Sequence, residues 1–145
     1  MKNLLLTGLC FLITFSGIAQ TNSKVKPKAS TSLAYLKNYD KKYPYEVKLF
    51  SKPQFVNRVK ALTGIRYSLI KKYWNVESPI EITGDNFIAF ACQAHNCNAT
   101  NFIIIYNLEN DKMYVGIREE EKAKTYSENG TSIPARLDEW VKNNN

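Results

Sequence analysis

The sequence predicts an α+β fold: a central, mostly antiparallel sheet of about five strands with helices packed on it and one protruding loop. Three observations carry this. Phe55, Val56, Val59 and Leu62 recur at helical spacing between Ser51 and Gly64, the pattern of a helix with one buried face. From Ile80 to Ser127 short apolar or alternating runs are separated by turn residues, as in a meander of strands. Between two of those runs stand Cys92 and Cys97, near enough to close a small ring at the tip of a strand connection.

Taken in order, Leu33, Leu36 and Tyr39 allow a short helix over Ser32 to Tyr43, with Ser32 as its cap and Pro44 as its limit. Tyr35, Tyr39, Tyr43 and Tyr45 alternate with Lys37, Lys41, Lys42 and Lys48. The tyrosines are expected to cover the edge of the core while the lysines face water; the other use of such a segment is stacking on a glycan. Ser51 is placed to cap the next helix, with Pro53 in its first turn and Gly64 as its stop. A second helical stretch follows, with Ile65, Leu69, Ile70, Tyr73 and Trp74 on one face and Lys71 and Lys72 off it.

Pro79 forces extended structure. Ile80 and Ile82 alternate with Glu81 and Thr83, Gly84-Asp85 supplies a turn, and Phe87 to Ala91 returns as a strand. Phe102 to Leu108 is apolar on both faces and reads as the central strand. Residues 109–112 turn, and Met113 to Ile117 pairs back. Glu119-Glu120-Glu121 is expected to end the sheet's meander with solvated charge, Lys124 to Ser127 to add an edge strand, and Asn129-Gly130 to turn. Ile133, Leu137, Trp140 and Val141 line a final helix with Pro134 in its first turn and Asn143-Asn144-Asn145 fraying from its end.

Residues 1–19 have a positive start at Lys2, a short apolar core and the small residues Gly17 and Ala19, which predicts a cleaved export signal rather than a membrane span. Cys10 then leaves with it; the competing reading, a lipoprotein anchored at Cys10, is opposed by the bulky Leu9 before it. Residues 20–31 are polar and read as a flexible tether, and residues 32–145 as one domain. The expected location is periplasmic or secreted, where an even pair of cysteines favours a disulfide.

Of 20 basic residues Lys2 is lost with the signal, so against 13 acids the mature charge is 19 − 13, or +6. Residues 24–72 hold thirteen Lys or Arg and two acids; residues 73–145 hold six and eleven. The basic half reads as a solvated face, and export argues against a nucleic-acid partner.

The chemistry is concentrated in Cys92-Gln93-Ala94-His95-Asn96-Cys97, which contains the only histidine of the chain. Two thiols and one histidine in six residues lack zinc spacing and a fourth ligand, redox pairs have two intervening residues rather than four, and no nucleophile–base or paired-acid constellation is legible. No catalytic residue, metal or cofactor is therefore assigned. With Gly84-Asp85 upstream and Phe102-Ile103-Ile104-Ile105-Tyr106 downstream, the motif resembles the periplasmic inhibitor-of-vertebrate-lysozyme (Ivy) family, which carries a Cys-Lys-Pro-His-Asp-Cys protrusion. The likeness runs from about Leu49 to Ile117.

That resemblance implies a disulfide between Cys92 and Cys97, insertion of His95 into a lysozyme active site, and the segment from Cys92 through Gln93, Ala94, His95 and Asn96 to Cys97 as the target-binding loop. Gln93, Ala94 and Asn96 depart from the family's Lys, Pro and Asp. The implied partner is a lysozyme or a related peptidoglycan-cleaving glycosidase, and the implied protein is an inhibitor rather than an enzyme. Members of the family can be dimers, so a homodimer is allowed. The alternative is a periplasmic structural or glycan-binding module.

Overall fold

The computed structural model describes residues 32–143. The export signal over residues 1–19, the lipoprotein alternative at Cys10, the tether over 20–31 and the last two asparagines lie outside the described residues.

Six strands form one sheet in which every pairing is antiparallel: β1 (Val76–Glu77), β2 (Glu81–Thr83), β3 (Asn86–Cys92), β4 (Asn101–Asn107), β5 (Lys112–Glu119) and β6 (Lys122–Ser127). β3 to β6 make the meander. β1 and β2 both pair with β3, at opposite ends of it, so the six strands occupy five positions across the sheet. β4 lies in the middle, and its residues Asn101 to Tyr106 are all buried, as a run apolar on both faces requires.

The strand alternation sends side chains to two cores. Phe87, Ala89, Phe102, Ile104, Tyr106, Met113, Val115 and Ile117 point to one face, where they meet Phe55, Val59 and Ile70. Those three belong to α1 (Pro53–Thr63) and α2 (Tyr67–Tyr73). Ile88, Ile103, Ile105 and Tyr114 point to the other, against Leu137 and Trp140 of α3 (Ala135–Lys142). Truncating a side chain as buried as Phe55 to alanine would cost about 3 to 5 kcal/mol. The indole of Trp140 lies so close to β5 that a Cβ at Gly116 would stand 2.5 Å from its ring and 2.7 Å from Ile103. No larger residue fits there.

Several local expectations are corrected. The segment after Ser32 forms a 3-10 helix at Ala34–Tyr39 rather than an α-helix reaching Tyr43, and its cap position is Leu33, with no side-chain bond. Leu33 and Leu36 are buried and the tyrosines 35, 39 and 43 half-buried, while the four lysines face water and Tyr45, against expectation, is exposed with them. Ser51 is drawn into a 3-10 turn at Leu49–Ser51, so Lys52 takes the cap position of α1, and Pro53 opens the helix as expected. Gly64 ends it at φ +58, ψ −131, a conformation that needs glycine. The chain then makes a 3-10 turn, Gly64–Arg66, before α2 begins. Ile65 therefore does not share the face of Leu69 and Ile70, and it stands 91% exposed.

Glu119-Glu120-Glu121 does not end the sheet. Glu120 and Glu121 take φ values of +50 and +66 and form a two-residue hairpin, with Glu119 paired to Lys122. The edge strand begins two residues earlier than the alternation suggested. Pro134 sits just before α3, at its cap position, rather than in its first turn.

Candidate functional site

The loop between β3 and β4 begins where the two central strands separate, at the paired residues Cys92 and Asn101. Cys92 and Cys97 form a disulfide with their Cα atoms 4.9 Å apart. Cys92 is buried as the last residue of β3; Gln93 is half-buried; Ala94, His95, Asn96 and Cys97 are exposed. The Asn96 amide donates to the Gln93 carbonyl at 3.0 Å, closing a turn with Ala94 and His95 at its crown. His95 adopts φ +62, a left-handed conformation in which His, Asn and Asp are enriched over other side chains. Its imidazole makes no hydrogen bond to the other described residues.

Asn96, where the Ivy motif has an acid, binds its own loop. Its side-chain amide donates to Gln93 Oε1 at 3.1 Å and to Thr100 Oγ1 at 3.4 Å, and its carbonyl accepts from the Thr100 amide at 2.9 Å. The Gln93 amide donates to the Thr100 carbonyl at 3.0 Å, extending the sheet register one step into the loop. Thus the ring is held by backbone and amide bonds without the family's proline.

Three neighbouring segments brace the loop at its base. The Asn75 amide donates to the Cys92 carbonyl at 3.2 Å, the Glu121 amide of the β5–β6 turn donates to the Ala99 carbonyl at 3.1 Å, and Asn101 Nδ2 donates to the Cys97 carbonyl at 2.6 Å. The turn carrying Glu120 and Glu121, both exposed, therefore lies against the loop, and Glu119 beside them is paired with Arg66. The acidic half of the sequence places part of its charge at the loop end of the molecule.

Asn101, Arg118 and Trp140 were not legible as site residues. Each is nearly inaccessible to water, at 1%, 1% and 6% exposure. The only sequence signal was Arg118 itself, a charge that keeps the two-residue alternation of Tyr114 and Gly116 and so must point into the core under α3. There it lies over the Trp140 ring, 4.9 Å from Cζ to the ring centre, and donates to the carbonyls of Trp140 and Val141 at 3.0 and 3.2 Å and of Glu121 at 3.0 Å. Burial pulls its pKa below the ordinary guanidinium value.

At the opposite end of the sheet an open cavity of about 700 Å³ is lined by Arg58, Asp111, Lys112 and Glu128 among others. Asp111 and Glu128 form a carboxylate pair that local sequence did not disclose, and both grip Arg58: Nε and one terminal nitrogen reach Glu128 at 2.7 Å, and the other reaches Asp111 Oδ1 at 2.5 Å. Chiefly the Glu128 bonds raise the Arg58 pKa further. Burial raises the Tyr106 phenol, as does its 2.6 Å bond to Asp111. Burial also pushes Asp111 upward, but the bonds from Tyr106 and Arg58 outweigh it and hold the carboxyl below its usual range. Glu128 spends its second oxygen on the Met113 amide at 2.9 Å as well as on Arg58. A carboxylate so held is a poor general acid, and the pair serves as a clasp between α1 and the strand ends. Among the described residues no three His, Cys, Asp or Glu side chains gather as a metal site would require.

A family model described as inhibitor of vertebrate lysozyme (Ivy) matches residues 54–145, which include the whole loop and all six strands. The chain belongs to the Ivy family. Membership implies lysozyme inhibition in general, and it makes lysozyme the expected partner of this Ivy chain. The comparison with curated proteins and that with solved structures each returned no match. Among the described residues no helix is long and apolar enough to cross a membrane.

Proposed function

We propose that this Ivy protein inhibits lysozyme-type muramidases by inserting the Cys92–Cys97 loop into the active-site cleft, with His95 leading. The observation that carries the reading is the placement of His95, exposed at the crown of a disulfide-closed turn and without a hydrogen bond to the other described residues. A six-residue ring contributes only about 2 kcal/mol through chain entropy, a modest gain in global stability. Its larger effect is on binding, because a loop already ordered loses less freedom on entering a cleft.

Imidazole suits the tip. When protonated, both of its nitrogens donate, in different directions. A glycosidase holds its two catalytic carboxyls about 5 to 9.5 Å apart, and each N–H reaches a carboxylate oxygen at about 2.8 Å. One ring can then engage both groups and leave no room for the scissile bond. Gln93, Ala94 and Asn96 shape the loop and meet the cleft walls, and the protein performs no turnover itself. The inhibitor acts in the periplasm or outside the cell, delivered by residues 1–19.

The test is a muramidase inhibition assay on residues 20–145 with a panel of lysozymes. Stoichiometric inhibition of at least one, relieved by His95→Ala, is expected. Saturable binding to purified peptidoglycan with no inhibition of any lysozyme would replace this reading with a glycan-binding module.

A further inference from the structure

The inhibitory ring has two ends, and they are anchored differently. Cys92 is part of β3 and is fixed by the sheet on both sides, through Asn101 of β4 and Val76 of β1. Cys97 is exposed, four residues short of β4. Its sulfur is tied by the disulfide, and its carbonyl accepts from Asn101 Nδ2 at 2.6 Å. The other end of that same amide, Asn101 Oδ1, accepts from Trp140 Nε1 at 3.0 Å. The indole packs in turn against Gly116, which leaves it space, and against the guanidinium of Arg118, whose own donors end on the carbonyls of Trp140 and Val141.

An amide in this position has a fixed orientation. With the oxygen taken by the indole N–H, the nitrogen can only face the loop. The Trp140–Asn101 bond is buried and the Asn101–Cys97 bond partly so; in such surroundings a hydrogen bond meets less competition from water and an unpaired group is costly. By contrast, the bonds made by Asn96 are internal to the loop and move with it. Asn101 supplies the side-chain bond from the body of the sheet to the ring, and its aim is set by α3, on the far side of the sheet from α1 and α2.

We propose that Asn101, Trp140 and Arg118 are positioning residues of the inhibitor: they lock the C-terminal helix to the Cys97 end of the ring and so set where His95 stands. This rests on the loop-insertion reading for its effect on inhibition. The lock itself is a property of the free protein and is testable without a target.

The experiment uses two variants on residues 20–145, Asn101→Asp and Trp140→Phe. Asn101→Asp is close to isosteric and still accepts from the indole, but when ionised cannot donate to Cys97; Trp140→Phe removes the N–H while keeping an aromatic ring beside Arg118. Amide hydrogen exchange of Gln93, Asn96 and Thr100 is followed in the free proteins, against sheet amides of β4 and β5 as internal controls. The lock predicts faster exchange at the loop amides with the sheet amides unchanged. Loop amides that stay as protected as in the wild type, or that change only in proportion to the sheet, overturn it.

Dissociation from an inhibited lysozyme is then measured for Asn101→Asp with and without His95→Ala. We expect about five- to tenfold faster dissociation when His95 is present and less than twofold when it is absent, because a residue acting by positioning His95 loses its leverage with it. Equal losses in both backgrounds would mean that Asn101 acts through general stability and would overturn the proposal. Failure of His95→Ala to weaken binding would instead sink the insertion reading, and the exchange data would still decide the lock.

Discussion

Replacing His95 with alanine separates binding from folding more cleanly than any other change in this protein. The imidazole is exposed and makes no hydrogen bond to the other described residues, so its removal should shift stability by no more than about 0.5 kcal/mol, the usual scale for a surface substitution. The backbone at φ +62 is tolerated somewhat better by His or Asn than by Ala, so His95→Asn is a second variant that keeps the turn and removes one of the two donor directions. In the complex the ring is expected to make two charge-assisted bonds in a dry cleft, each worth about 1.5 to 3 kcal/mol. Solvent reclaims part of this when the ring is lost, which leaves a penalty of at least about 2 kcal/mol, or about thirtyfold in Kd. Calorimetric titration against an inhibited lysozyme, paired with a thermal melt of the free variant, reads both quantities. An unchanged melt with wild-type affinity would refute the plug.

Opening the ring with Cys92→Ser and Cys97→Ser should raise the dissociation rate by the equivalent of about 1 to 2 kcal/mol and leave association nearly unchanged; surface plasmon resonance checks this, and an unaltered dissociation rate would discard preorganisation as the account. Arg118→Lys keeps the charge but loses the fork that reaches three carbonyls, and should lower the unfolding free energy in urea by about 1 to 3 kcal/mol. Because the Asp111 carboxyl is held below its ordinary pKa, its contribution to stability is complete above the unfolded value of about 4 and is lost as pH falls through the folded one. Asp111→Asn should therefore flatten the acid limb of the stability profile below pH about 4 and leave its slope at neutral pH unchanged. Glu120→Lys, on the turn that braces the loop, should slow association with a strongly basic lysozyme at low salt, and the difference should vanish as salt is added.

What was legible in the sequence was what local periodicity encodes. The stripe of Phe55 and Val59, the two-faced run of β4 and the apolar runs of β3 and β5 each lie within a few residues, and each appears as expected. The cysteine-bounded loop was legible too, because its closure is a local matter of five positions. The misses are of two kinds. Ile65, Ser51 and the Glu120–Glu121 hairpin depend on single backbone dihedrals: Gly64 turns the chain out of register, and a pair of glutamates at positive φ carries none of the Asn-Gly signal by which such turns are recognised. Asn101, Arg118 and Trp140, like the clasp of Arg58 with Asp111 and Glu128, join residues 22 to 70 positions apart. No window of sequence contains both partners, so only the assembled sheet brings them into contact.

The amide of Leu33 is fastened to the Tyr106 hydroxyl at 3.1 Å, which is itself bonded to Asp111 in the turn beyond β4. Tyr106 and the loop-side Asn101 stand at opposite ends of β4, separated by about 17 Å of extended chain. The two ends of the described fold thus lie toward different poles, since Val141 lies by Arg118 near the ring. A bead, a surface or a fusion partner fixed at the residue-32 end would hold the molecule with the Cys92–Cys97 loop pointing outward, whereas the same attachment at the residue-143 end would crowd that loop. Orientation on a support is in this way already written into which end of the described fold is nearest the loop.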